Sequence, residues 1–327
     1  MMPRCITRAS IGAVGLMIFC TGPAIAQQAY PNKPIRFIVP FPPGGATNIV
    51  ARLVGQKLID NMGQQVIVDN RPGGNTIIGN EALARSAPDG HTVGMTTSTL
   101  VISPHLIANL PYDAFRDFMP VATLVATDYV LAVHPSVAAN TLQEFIALAR
   151  SRPGQLNYAT SAAGGPTHLA GELFNIMAGV KIQHIPYKGG GPALTDLLGG
   201  QVQLTFSAAA QNIPHIRTGK LRAIAIAGEA RSPALPQVPT FTEAGLPGFN
   251  PKNWLGVSVP AGTPKIIIDR LSTEIAKVLT MPDIREELTN QGVDPFISTP
   301  EQFAALMKAD GALYGRIIKS ANIKIEN

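Results

Sequence analysis

Three short segments carry residue types suited to holding an anion. Pro40-Phe41-Pro42-Pro43-Gly44-Gly45-Ala46-Thr47-Asn48 lies between an apolar run and a helical pattern. Glycines there let main-chain N–H groups approach a ligand, and a helix start adds the positive end of a dipole. Ser161-Ala162-Ala163-Gly164-Gly165-Pro166-Thr167-His168 offers the same chemistry with two hydroxyl donors added. Thr96-Thr97-Ser98-Thr99 supplies four hydroxyls just past the end of a third apolar run. No Gly-Lys-Ser/Thr follows the first segment, and it is not Gly-x-Gly-x-x-Gly, so nucleotide fingerprints are excluded. Taken singly, each segment reads equally well as an ordinary turn. Together, at the carboxyl ends of strands where open α/β sheets receive ligands, they point to an anion clamp.

The catalytic inventory is thin. Gly-x-Ser-x-Gly, Ser-x-x-Lys and His-Glu-x-x-His are all absent. His168 and Glu172 stand four apart on one helix face, a spacing that can seat a metal, but no third ligand accompanies them. A capping or solvated pair is expected there, with no metal and no cofactor. Tyr187-Lys188-Gly189-Gly190-Gly191-Pro192 offers a cation and backbone amides before another helix, or else a flexible connector. Trp254, the single tryptophan, is expected as a core anchor.

These segments must be positioned by alternating strands and helices. Val/Ile-rich runs at Ile35 to Phe41, Val66–Val68, His91–Thr96, Tyr129–His134, Leu156–Thr160, Lys181–Ile185, Val202–Phe206, Leu221–Ala227 and Trp254–Val259 read as strands of a mainly parallel sheet. Between them, Val50, Leu53, Val54, Leu58 and Met62 follow a 3.6-residue period, and helices are expected at 76–85, 141–150, 166–178, 192–198 and 213–218. Thr141 and Glu144 form a capping-box pattern. After a Pro-rich connector from Gly228 to Asn250 comes one strand, then helices only, at 264–279, 283–291 and 300–321, with Thr263 and Thr299 as N-caps. A lone strand with helices cannot bury itself as a third domain. The tail is therefore expected to return to the first domain. That gives a discontinuous domain of residues 31–125 plus 255–327, an inserted domain of residues 126–254, and a hinge near Val125–Thr127 and Asn253–Gly256. Two sequential domains split near residue 130 are the alternative.

The composition narrows the function classes. Of 327 residues, 46% are hydrophobic and 14% charged, which excludes disorder. The net charge is +5, yet Lys and Arg are scattered singly, so nucleic acid is not an expected partner. Arg4 and Arg8, the apolar stretch Ala9 to Cys20 and Ala24-Ile25-Ala26 read as a Sec-type signal peptide over residues 1–26, cleaved after Ala26. Both cysteines, Cys5 and Cys20, lie inside it, which removes disulfides and thiolate chemistry from the mature chain. A soluble periplasmic protein follows.

Pro40–Asn48, Asn70-Arg71-Pro72-Gly73-Gly74, Ala87-Pro88-Asp89-Gly90, His168–Phe174, Pro186–Gln203, Gly219–Ala223 and Arg231–Pro236 together resemble the Bug family. These are the periplasmic solute-binding receptors of tripartite tricarboxylate transporters. The resemblance runs through the mature chain and implies a two-domain, type II-like Venus-flytrap α/β fold, each domain a mixed sheet flanked by helices. It implies no enzyme. A small organic carboxylate would be held by Phe41, Pro43, Gly44, Gly45, Ala46 and Asn48 of the first loop. Thr97 and Ser98, and then Ser161, Gly164, Gly165, Thr167, His168 and Ser207, would complete the clamp. Membrane subunits of the transporter would be its partners, and a monomer is expected; a sensor kinase reading the same closure, or a periplasmic enzyme, are the alternatives. Two departures are informative. The first-loop pattern usually ends in Asp where this chain has Asn48, and the strand after Gly199-Gly200-Gln201-Val202 usually ends in Asp where this chain has Ser207. Loss of both carboxylates removes a partner for a ligand ammonium, so an acid without a free amine is expected.

Overall fold

Ile35–Val39 forms β1, whose buried Ile35, Phe37, Ile38 and Val39 make it a central strand. It pairs in parallel with β2 (Val66–Asn70) and β3 (Thr92–Thr97). The computed structural model describes residues 30–43, 46–290 and 293–324, so the signal segment lies outside it. Helix α1 (Ala46–Met62) and α2 (Ile77–Ala84) connect these strands; β3 runs directly into a short helix α3 (Ser98–Ile102) and a single 3-10 turn. The hydroxyl run at 96–99 thus spans a strand end and a helix start rather than a loop. Thr97 is the N-cap, its side chain accepting from the Thr99 N–H.

A 16-residue strand, β4 (Phe118–Val133), joins the two halves of the sheet. Its first part pairs antiparallel with β9 (Lys252–Pro260), through Val125 opposite Leu255, Ala126 opposite Trp254 and Thr127 opposite Asn253. From Tyr129 onward it pairs with β7 (Leu204–Ala208) and β8 (Arg222–Ile226). Strands β5 (Asn157–Thr160) and β6 (Gln183–Pro186) extend that side in parallel, giving the order β2-β1-β3-β9-β4-β7-β5-β6. The sheet is therefore mixed: its parallel outer strands match the alternating sequence pattern, while the connecting strands β4 and β9 run antiparallel.

On the second half lie α4 (Leu142–Ser151), α5 (Pro166–Ala178), α6 (Gly190–Leu198) and α7 (Ala209–Arg217). Thr141 caps α4, but the Glu144 carboxylate accepts from Asn140 rather than from the cap residue itself. The 228–250 connector buries Leu235, Val238, Phe241, Leu246 and Phe249 without regular helix or strand. Helices α8 (Lys265–Thr280) and α9 (Pro282–Asn290) pack with α1 on the first half, and β10 (Asp294–Pro295) adds to β4. Pro264 caps α8, because the Thr263 hydroxyl donates back to the Pro260 carbonyl instead. Thr299 caps the last helix, α10 (Pro300–Ser320), in a complete capping box with Gln302. This helix packs on α3, β4 and α5, so one apolar core runs from Leu100 through Phe303 and Met307 to Phe145 and Phe174. Trp254 is buried there. Its Nε1–H donates to Asp310 at 2.8 Å and its ring meets Phe303 edge-on. No helix among the described residues is long and apolar enough to cross a membrane.

Candidate functional site

The loop from β5 to α5 is fixed by its own side chains. The Thr160 hydroxyl donates to the Ala162 carbonyl (3.0 Å), so it must accept at its 2.6 Å contact with His184, whose Nε2 therefore carries the proton. Gly189 N–H donates to the Ser161 carbonyl (2.9 Å), tying the start of α6 to the same loop. Gly164 N–H donates to His168 Nδ1 at 2.9 Å, one helical turn ahead. The His168 and His184 rings stack, with centroids 3.6 Å apart. Burial lowers the pKa of His168 to about 4, and burial together with the His168 charge lowers that of His184 to about 3. Both rings are neutral at pH 7. His168 Nε2 is 3.9 Å from Glu172, which is already engaged by the Tyr158 hydroxyl (2.6 Å). This pair shapes the loop, and no cluster of metal-ligating side chains occurs among the described residues.

Beside this loop is a cavity of about 170 Å³. Thr167 in the first turn of α5, Gly190 at the start of α6, and Ala208, Gln211 and Asn212 at the start of α7 all line it. The first N–H groups of a helix have no partner within the helix, and each helix carries about half a positive charge at that end. Three such ends converge here. Thr127, Thr160, Ser161, Thr205, Ser207 and Asn253 supply further polar groups, and Tyr129, Ala159, Ala193, Leu194 and Leu197 the apolar remainder. None of the lining residues is Asp, Glu, Lys, Arg or His. The cavity is therefore electropositive through main-chain dipoles alone, a chemistry that holds an anion without a counter-cation.

Of the residues expected from sequence, Ser161, Thr167 and Ser207 line this cavity. Ser98 stands one step behind it: its hydroxyl donates to Asn253 Oδ1 at 2.7 Å, which fixes the Asn253 amide at the wall. Thr97 is spent on capping α3, the Gly164 N–H on His168, and His168 on Gly164. Gly165 is the N-cap of α5. Phe41, Pro43 and the start of α1 at Ala46 lie on the first loop, outside this wall; Gly44 and Gly45 lie outside the described residues. Asn48 is buried in a relay. Arg52 Nε donates to Asn48 Oδ1, Asn48 Nδ2 to Asn70 Oδ1, and Asn70 Nδ2 to the Phe41 carbonyl. Thr205, Gln211 and Asn212 have no signal in sequence, and Thr127 and Asn253 are expected only as hinge residues; β4, β7, α7 and β9 bring them together only in the fold. Gly190 lay in a segment noted for its amides, while its neighbour Lys188 does not reach the wall.

The model of the tripartite tricarboxylate transporter family receptor matches residues 50–323. Protein BugT of Bordetella pertussis is 36% identical over 320 residues, covering 97% of this chain and 98% of that protein. Among solved structures, an R. palustris protein with adipate is 33% identical with a TM-score of 0.76, over 90% of this chain and 99% of its own. MatC from Rhodopseudomonas palustris, with bound malate, is 31% identical with a TM-score of 0.72, over 88% and 100%. The fold is accordingly that of the two-lobed periplasmic binding proteins, each lobe a mixed sheet flanked by helices. The chain belongs to the tripartite tricarboxylate transporter receptor family, a family of periplasmic solute-binding proteins rather than enzymes.

Proposed function

We propose that this receptor captures a small organic carboxylate lacking a free amine, closes two lobes over it, and delivers it to the membrane subunits of a tripartite transporter. The observation that carries the reading is the cavity walled by three helix N-termini and no charged side chain. An anion is favoured by those dipoles. An ammonium finds no carboxylate among the lining residues, and burying it unpaired costs several kcal/mol. The carboxylates seen with the two R. palustris proteins support the ligand class.

The lobes are residues 31–125 plus 255–327 and residues 126–254. The hinge lies where β4 and β9 run side by side, around Val125–Thr127 and Asn253–Gly256. In this reading the second-lobe wall of Ser161, Thr167 and Ser207 receives the anion. The first loop, Phe41 to Ala46, then covers it, with the Asn48 relay holding that loop at its base. A ligand touching both lobes has higher affinity for the closed form and shifts the population towards it. Residues 1–26 direct export and are removed after Ala26.

Calorimetry with matched acids tests the reading. Succinate and glutarate are expected to bind about tenfold or more tightly than aspartate and glutamate. Tighter binding of the amino acids would overturn it.

A further inference from the structure

We infer that the ligand carries a hydroxyl beside its carboxylate and that Asn212 is the residue that selects for it. The inference rests on the carboxylate reading above and narrows it. Asn212 is fully buried in the first turns of α7 and lines the cavity. Its Nδ2 donates to the Ala208 carbonyl at 2.8 Å and to Ser207 Oγ at 2.9 Å. A carbonyl oxygen only accepts, so the Ala208 contact fixes which end of the amide is nitrogen. Asn212 Oδ1 is thereby held on the other side, where no described residue donates to it. The Thr167 hydroxyl, on the same cavity wall, likewise has no partner among the described residues.

These two orphans ask for different things. Thr167 can donate, and an ionised carboxylate satisfies it. Asn212 Oδ1 can only accept, and a fully ionised carboxylate has nothing to give it. The missing group is a neutral donor on the ligand. An ammonium would serve geometrically, but the wall holds no carboxylate to balance its charge. A hydroxyl supplies the proton without the charge. Ser207 Oγ accepts from Asn212, so its own proton is free for the carboxylate or for the oxygen of that hydroxyl. A site built to accept from a ligand hydroxyl discriminates strongly against the analogue lacking it, because the buried acceptor is left unpaired.

The test compares acids that differ by one hydroxyl: succinate with malate, glutarate with 2-hydroxyglutarate, phenylacetate with mandelate. Titration of the wild-type protein is expected to show the hydroxylated member of the best-bound pair at least about tenfold tighter. In Asn212→Leu, that ratio is expected to fall within about twofold, whatever the variant does to affinity for the simple acid. Equal binding of both members by the wild-type protein overturns the inference while leaving the carboxylate reading intact; this comparison decides the matter even if Asn212→Leu does not fold. A preference undiminished in a folded Asn212→Leu also overturns it. Failure of every acid in the panel to bind contradicts the carboxylate reading itself.

Discussion

The two glycine-rich loops, one after β1 and one after β5, are near repeats in sequence and differ, among the described residues, in how they are held. Pro-Gly-Gly-Ala-Thr-Asn opens α1, and Ala-Gly-Gly-Pro-Thr-His opens α5. The second loop is braced from within, by Thr160 on Ala162, by His168 on Gly164 and by the stacked histidines beneath. The first is held from outside, where Asn70 of the neighbouring strand grips the Phe41 carbonyl and Asn48 with Arg52 fixes that asparagine. The residue three positions past the second glycine decides the difference. His168 reaches back into its own loop, whereas Asn48 turns sideways to the next strand. An internally braced loop can present a preformed wall, and an externally held one can move with its lobe.

Acid should break the comparison most strongly. Both histidines are neutral in the folded chain, with pKa values lowered to about 4 and about 3 from an ordinary 6.5. Between those limits the unfolded chain binds more protons than the folded one, so stability is full above about pH 6.5 and falls as the pH drops towards 4. The pair together should remove a few kcal/mol in that window. Protonated His168 can no longer accept from Gly164. Hydrogen exchange at residues 161–165, corrected for its intrinsic pH dependence, should accelerate towards pH 4.5. Phe41, the one residue of Pro40-Phe41-Pro42-Pro43 with an amide hydrogen, sits in a run with no titratable side chain and should not follow. Equal response of both loops would remove the distinction.

Steric substitutions sharpen it next. A Cβ at Gly79 would stand 2.7 Å from Pro40 Cβ and 2.9 Å from its Cα, so helix α2 presses directly on the backbone that leads into the first loop. Gly79→Ala should destabilise by about 1–3 kcal/mol in chemical denaturation and weaken ligand binding, because a backbone cannot rotate aside. A loss under about 0.5 kcal/mol would mean that the contact relaxes freely. The smallest effect on folding, and the most selective on binding, belongs to Thr167→Val. The swap keeps the side chain's shape and removes a buried hydroxyl with no partner. Stability should hold or rise by up to about 1 kcal/mol, while carboxylate affinity falls about tenfold with the lost charge-assisted hydrogen bond. Unchanged affinity by calorimetry would remove Thr167 from the site.

Much of this was readable in the sequence, for reasons visible element by element. Apolar periodicity places α1, α5 and α10, and the Pro-after-cap pattern places the starts of α5 and α10. The same pattern misleads at α7. Pro214 suggests a helix start at Ile213, yet the helix begins at Ala209 and tolerates Pro214 inside, and two of the four earlier residues, Gln211 and Asn212, line the cavity. The first part of β4 is hidden by Pro120, which breaks the strand pattern; a register shift between Pro120 and Ala122 accommodates it. The Thr96–Thr99 run reads as a turn because hydroxyls favour turns, but its N-cap geometry makes it a helix start. Within the site, loop motifs with glycine and hydroxyl residues are legible since their chemistry is local. Asn212 and Asn253 are not: Asn212 lies on the turn of α7 that the pattern omits, and Asn253 becomes a wall residue only when β9 pairs with the distant β4.

The central claim is that helix N-termini and neutral donors, not cationic side chains, hold a carboxylate against the second lobe. A crystal structure with the best-bound hydroxy acid tests it directly. The account predicts carboxylate oxygens within about 3 Å of main-chain N–H groups at the starts of α5, α6 and α7 and of the Thr167 hydroxyl, with the ligand hydroxyl on Asn212 Oδ1. A carboxylate paired instead with a Lys or Arg side chain, or a ligand seated elsewhere with this cavity empty, would contradict it.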